Sequence, residues 1–298
     1  MQKAVDEFIL AKTANGRATR TVEDYGRVLG SFSEWCTEHG VSAANLNRNA
    51  IRRYLVHLRS NGWAEATIAI HARNLRTFLR WAHAEGTLSE NFAAIIECPR
   101  AIHREEQPLT SVEIARIVAA CDGDDLAARD RALILVFVDT GLRLSEMARL
   151  DKNAIHFGEN GRGWMRIYAP KTKSYRFAIL GQRTTRALRQ YLEERGDDDL
   201  DALWRNRRGK RLKSRGISQV VNRRAGAVGL RERVHPHLFR KAFSTHWLDN
   251  GGDVERLRVL AGWSAEHAAK MLEIYIASQL DNLQAAHAKA GPVDSLPL

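Results

Sequence analysis

The chain has 298 residues, enough for two ordinary domains that each bury a core. Its 46 lysines and arginines against 35 acids give a formal charge of +11, so the surface must carry a positive field and a polyanion is the expected partner. There is no apolar run of membrane-spanning length, basic amphipathic anchor or signal-peptide pattern, so no membrane contact is expected and the setting read from the chain is the cytoplasm or nucleoid. Cys36, Cys98 and Cys121 are too dispersed for a disulfide framework or a cysteine zinc site, and His235 and His237 lack further ligands at a metal spacing. No metal and no cofactor is expected.

From Thr19 to about Gly86 the pattern predicts a run of helices, with stops at Gly40, Gly62 and Gly86. In the clearest of them Ile68, Leu75, Phe78, Leu79 and Ala82 share one face and read as core, while Arg73, Arg76 and Arg80 fall elsewhere, as a solvated face or a DNA-facing one. A charged segment from Cys98 to Pro108 then breaks the periodicity as a linker would. Thr110 and Glu113 have capping-box spacing, so a new helix and a new domain begin there.

The second domain reads as helical up to Leu150. After it, Trp164 to Ala169 and Tyr175 to Leu180 alternate as strands around Pro170-Lys-Thr-Lys-Ser174, which predicts a β-hairpin with lysines at its tip. Helical patterns resume over Gln182 to Arg195, after Arg215, and through to Ser278 to Ala290. Between them lie Arg205, Arg207, Arg208, Lys210, Arg211, Lys213 and Arg215, seven basic residues in eleven with no acid. Such a run is a solvated loop or, at this density of one sign, a phosphate-contacting one. The expected fold is mainly α with a small antiparallel β-sheet.

Arg143, Lys171, His237, Arg240 and Tyr275 are side chains suited to phosphoryl transfer without a metal, although each alone has an ordinary reading as a surface charge, a core tyrosine or a helix cap. Their surroundings carry more. Thr140-Gly-Leu-Arg143-Leu-Ser-Glu146-Met147 and His237-Leu-Phe-Arg240-Lys-Ala-Phe-Ser-Thr-His246 resemble the two arginine boxes of the tyrosine recombinases, the family of phage integrases, Xer-type recombinases and Cre. Pro170-Lys171-Thr-Lys-Ser-Tyr-Arg176 is similar to the hairpin that brings in that family's lysine, Leu260-Ala-Gly-Trp263 to its histidine-or-tryptophan segment, and Ile274-Tyr275 to its nucleophile. The order and separation of these boxes make the resemblance specific, and it covers nearly the whole chain.

The resemblance implies a helical, SAM-like core-type DNA-binding domain over 1–97, a linker over 98–109 and an α+β catalytic domain over 110–298, with no arm-binding domain ahead of them. It implies that Tyr275 attacks a phosphodiester, that Arg143 and Arg240 stabilise the charge this develops, and that Lys171, preferred to Lys173 because it stands five residues before Arg176, protonates the leaving oxygen. His237 would bond the phosphate or help deprotonate the tyrosine, Glu146 would orient Arg143 or His237, and the indole N–H of Trp263 would donate to a phosphate oxygen. Trp263 stands where histidine is commoner and twelve positions before Tyr275, longer than the family's usual spacing; Lys241 also replaces a frequent histidine. The expected product is strand exchange between two double-stranded DNA sites by a homotetramer, through a Holliday junction, with accessory DNA-bending or directionality proteins as optional partners.

Integration or excision of a phage or mobile element is the expected task, with Xer-like dimer resolution as the alternative. A type IB topoisomerase would share the chemistry but only relax supercoils, and a DNA-binding regulator would bind without cutting. The complete set of catalytic types argues against the regulator, and the helical first domain with a short tail argues against the topoisomerase.

Overall fold

The computed structural model describes residues 1–98, 106–169 and 174–269, in two compact units, 1–105 and 106–298. Lys171 and Tyr275, like the predicted Ser278 to Ala290 helix, lie outside the described residues.

The first unit is helical: α1 (Gln2–Ala14), α2 (Thr19–Glu38), α3 (Arg48–Ser60) and α4 (Glu65–Ala84), followed by a 3-10 turn at Phe92–Ile95. The helical pattern expected from Thr19 onward did not include α1, whose Phe8 is fully buried and meets Tyr25, Phe78 and Trp81 edge to face. Gly40, Gly62 and Gly86 all take positive φ just past helix ends, as their reading as stops requires. The predicted stripe of α4 is buried, and Arg73, Arg76 and Arg80 lie off it, toward the surface. One polar pair sits inside this core: Tyr54 Oη and His71 Nδ1 are 2.9 Å apart.

The second unit begins with α5 (Ser111–Ala119), capped by the Thr110–Glu113 box, in which the Glu113 N–H donates to Thr110 Oγ1 at 3.2 Å and the Thr110 N–H to Glu113 Oε2 at 2.8 Å. Next come α6 (Ala127–Thr140) and α7 (Leu144–Arg149), then β1 (Ile155–Phe157), β2 (Gly163–Ala169) and β3 (Ser174–Leu180) in one antiparallel sheet of order β1-β2-β3. At three residues, β1 is too short to leave an alternation in the sequence. Helices α8 (Gln182–Arg195), α9 (Ser214–Gly226), α10 (Pro236–Asp249) and α11 (Val254–Ala261) follow, and residues 265–269, the last described, are again helical.

Helix α6 runs through the middle of this unit, with Leu133, Ile134, Val136 and Phe137 fully buried and Phe137 stacked on Phe239 of α10. Its buried Asp130 is held by Arg129 at 2.7 Å, by Arg224 at 2.8 Å and by Arg223, so the desolvation of the carboxylate is offset. The sheet alternates as expected: Met165, Ile167, Ala178 and Leu180 face the core, and Trp164, Tyr168, Tyr175, Phe177 and Ile179 are exposed. No helix among the described residues is long and apolar enough to cross a membrane, and no cluster of three potential metal-ligating side chains occurs among them.

Candidate active site

The first arginine box is a helix stop followed at once by a helix start. Gly141 ends α6 in the left-handed region at φ +57°, and a Cβ there would meet Phe243 at 2.5 Å. Leu142 is then buried, and Arg143 caps α7 with an extended backbone. Glu146, one turn in, accepts the Arg143 main-chain N–H at 2.9 Å, as the N3 acid of a capping box does. Its other oxygen accepts from Arg143 Nη1, also at 2.9 Å. The cap therefore orients the arginine as well as starting the helix.

The second box opens α10. His235 is the N-cap, Pro236 occupies the first turn and His237 follows at an exposed position. One turn on, Arg240 is buried at 5% exposure, with Nη1 donating to the Gly141 carbonyl at 2.6 Å and Nη2 to the Ala261 carbonyl at 2.7 Å. Lys241 turns away, to the Glu106 carbonyl.

The end of α11 brings the boxes together. The last carbonyls of a helix have no partner inside it and carry its negative end. Here three consecutive ones are taken by guanidinium groups: Leu260 by Arg176, Ala261 by Arg240 and Gly262 by Arg143, the last at a longer 3.4 Å. Gly262 caps the helix in the left-handed region at φ +64° and turns the chain into Trp263. Trp263 is 8% exposed, lies against Arg240 with ring centroid and guanidinium carbon 5.6 Å apart, and has an indole N–H with no hydrogen-bond partner among the described residues.

Two of these guanidinium groups, Arg143 and Arg176, thus hold a single carboxylate, Glu146, and Arg240 stands near enough to feel their charges. Burial alone would raise the pKa of Glu146, but the charges of Arg176 and Arg143 and the Arg143 N–H outweigh it and hold it below the usual carboxylate value. Burial, with Arg143 and Arg176 nearby, pushes the pKa of Arg240 down to about 9, which leaves it charged at neutral pH. Desolvation, with the charge of Arg240 beside it, holds His237 below the ordinary histidine value. The cluster keeps an excess of positive charge and suits an anion with several oxygens, such as a phosphodiester.

Residues 107–281 match the Phage integrase family, and residues 7–86 match its N-terminal SAM-like domain. The chain belongs to the phage integrase family. Its enzyme class is that of the tyrosine recombinases, which transfer DNA strands. The chain is similar to tyrosine recombinase XerC of Pelobacter propionicus, 28% identical with 96% of this chain and 94% of the relative covered. It is also similar to tyrosine recombinase XerD of Halalkalibacterium halodurans, 29% identical with 84% and 85% covered. In fold it resembles a lambda integrase dimer bound to a core site, with a TM-score of 0.73, 18% identity and coverage of 91% of this chain and 94% of that one.

In this integrase-family chain, then, Arg143, Glu146, Arg240 and Trp263 meet at the end of α11, with His237 one turn before Arg240. Arg176, a spacing marker in the sequence, stands among them as a third guanidinium. A signal for it existed: in the alternation of β3 it takes an inward position with Ala178 and Leu180, where a charge needs buried partners.

The basic run is a tight turn in which Arg205 bridges Arg211 and Asn206 Oδ1 accepts the Arg208 and Lys210 N–H groups at 2.9 and 3.1 Å. Two of its charges find acids from elsewhere in the chain, which the local sequence could not show: Arg205 pairs with Asp198 at 2.9 Å and Arg211 with Asp151 at 2.6 Å. Arg207, Arg208, Lys210, Lys213 and Arg215 are exposed, and among the described residues none of them is in an ion pair.

Proposed function

We propose that this recombinase exchanges strands between two DNA sites through a 3′-phosphotyrosine at Tyr275. The phenolate oxygen of Tyr275 bonds the scissile phosphorus, the bond from phosphorus to the 5′ oxygen breaks, and Lys171 gives that oxygen a proton. Arg143 and Arg240 offer charge-assisted hydrogen bonds to the nonbridging oxygens as their charge grows, and the same field favours the phenolate of a tyrosine, which with a pKa near 10 is only about a thousandth ionised at neutral pH. His237 bonds the phosphate or assists the tyrosine, and Trp263 donates its indole N–H. The reverse step on a new 5′ hydroxyl restores a phosphodiester and needs no ATP, because the phosphotyrosine conserves the bond energy. The observation that carries the reading is the gathering of Arg143, Arg176 and Arg240 on three successive carbonyls with one carboxylate between them.

Arg207, Arg208, Lys210, Lys213 and Arg215 contact phosphates without reading sequence, with Arg205 and Arg211 shaping their turn, and Arg73, Arg76 and Arg80 present a second basic face. Four protomers on two sites pass through a Holliday junction, and the Ser278 to Ala290 segment docks on a neighbour. Relatives named XerC and XerD that cover most of the chain support an Xer-like exchange, and integration or excision of a phage or mobile element is the other reading the family match supports. The test is a library of nicked duplexes with randomised arms, in which the cleaved fragment diffuses away and traps the protein. Wild-type protein is expected to enrich one family of sites as covalent adducts; a library returned without adducts contradicts the reading.

A further inference from the structure

Arg176 is a charged residue at an inward position of a strand. Its partner across the ladder is buried Ile167, and its side chain is 9% exposed. A guanidinium there loses its hydration, a cost offset only by well-placed partners. Nη2 donates to Glu146 Oε2 at 2.9 Å, and Nη1 donates to the Leu260 carbonyl. Its seat depends on a glycine, because a Cβ on Gly262 would stand 2.8 Å from both Cδ and Nε of Arg176.

Glu146 is therefore shared between two arginines. With Oε2 held by Arg176 and by the Arg143 main-chain N–H, only Oε1 is left for the Arg143 side chain, which it meets at 2.9 Å. Arg143 is gripped at one edge, while its side chain stays 45% exposed. Were Arg176 absent, Glu146 would be free to turn both oxygens onto Arg143 as a forked pair, drawing the guanidinium inward. The second grip, on Leu260, fixes the helix end whose next two carbonyls hold Arg240 and Arg143.

Resting on the recombinase reading above, we infer that Arg176 is a positioning residue for strand cleavage, a buried clamp on Glu146 and on the end of α11 that sets where Arg143 presents its free N–H groups to a nonbridging oxygen. Arg176 itself touches no DNA. Its effect passes through the charge that Arg143 stabilises, so it should depend on how much charge the phosphate develops.

That dependence gives the test. The full-length protein and its Arg176→Met and Arg176→Lys variants are compared on a duplex from the trapping library, with either the ordinary scissile phosphodiester or a methylphosphonate that lacks one charged oxygen. On the phosphodiester, single-turnover cleavage by Arg176→Met is expected to fall by about ten- to a hundredfold, the scale for misplacing a reacting group by about an ångström, with DNA affinity unchanged. Arg176→Lys should recover only part of the rate, since an ammonium cannot reproduce the fork. On the methylphosphonate the gap to wild type should shrink to about threefold or less, because less charge needs stabilising. If Arg176→Met fails to fold, Gly262→Ala displaces the same side chain without removing its charge and carries the same expectation. Variants that cleave at the wild-type rate, or an equal loss on both substrates as a general packing defect would give, overturn the inference. A wild type that forms no adduct on any duplex overturns the recombinase reading instead.

Discussion

Arg240 donates through Nη1 to the Gly141 carbonyl at 2.6 Å, so the arginine of the second box is held by the glycine of the first. The bond runs from α10 to the end of α6, and its companion runs to Ala261. A planar fork can span two carbonyls in fixed directions; a lysine ammonium on a flexible stem cannot. Arg240→Lys is expected to keep DNA affinity and to lose about a hundredfold in single-turnover cleavage, the scale for one preorganised donor. A loss under about threefold would show that Arg240 holds the fold together without serving the reaction.

Gly141 has a separate role in stability. Its φ of +57° and the 2.5 Å approach of Phe243 to a built Cβ both oppose a side chain. Gly141→Ala should destabilise the protein by about 2 kcal/mol or more, from the left-handed backbone and the overpacking together. Urea denaturation followed by circular dichroism measures this, and an unchanged midpoint would contradict it.

His71 makes the first unit sensitive to acid. Burial, with a smaller contribution from Arg27, pushes its pKa below the ordinary value, and its Nε2 has no hydrogen-bond partner among the described residues. The unfolded chain therefore takes up a proton near pH 6.5 that the folded chain refuses, so His71's contribution is whole above about pH 6.5 and is lost as the pH falls below it. Urea midpoints measured from pH 7.5 to 5.5 should fall more steeply for wild type than for His71→Gln. Parallel curves would show that another group titrates.

Much of this was legible in the sequence, for physical reasons that differ by element. The Thr110 and Glu113 cap, the glycine stops and the β2–β3 alternation depend on interactions between near neighbours, and each appears in the structure. The pairing of Arg205 with Asp198 and Arg211 with Asp151 was not legible, because those acids lie outside the run. Arg176 and Gly262 were hidden in another way. The first was visible as an anomaly of strand phase, but its partners Glu146 and Leu260 are 30 and 84 positions away, and a glycine's need for space shows only once the neighbour that fills it is known.

The exposed part of the basic turn should behave differently from its paired part. Replacing Arg207, Arg208 and Lys210 together with alanine is expected to weaken binding to every duplex and to reduce the salt slope by about one unit for each phosphate no longer neutralised. Arg211→Ala should instead lower the urea midpoint, because it leaves the Asp151 carboxylate without its ion-pair partner and removes a donor from the carbonyls of Ala148 and Leu150. Binding to the library-derived and unrelated duplexes over a salt series separates the two; an unchanged slope for the triple variant would return those side chains to solvent.

The most direct measurement is peptide mapping of the covalent adduct. Wild-type protein trapped on a nicked duplex is digested with nuclease and protease, and the peptide carrying the nucleotide is sequenced by mass spectrometry. A 3′-phosphonucleotide on Tyr275 is expected, together with a Tyr275→Phe variant that binds the same duplex and yields no adduct. An adduct on any other side chain, or undiminished trapping by Tyr275→Phe, would contradict the phosphotyrosine mechanism.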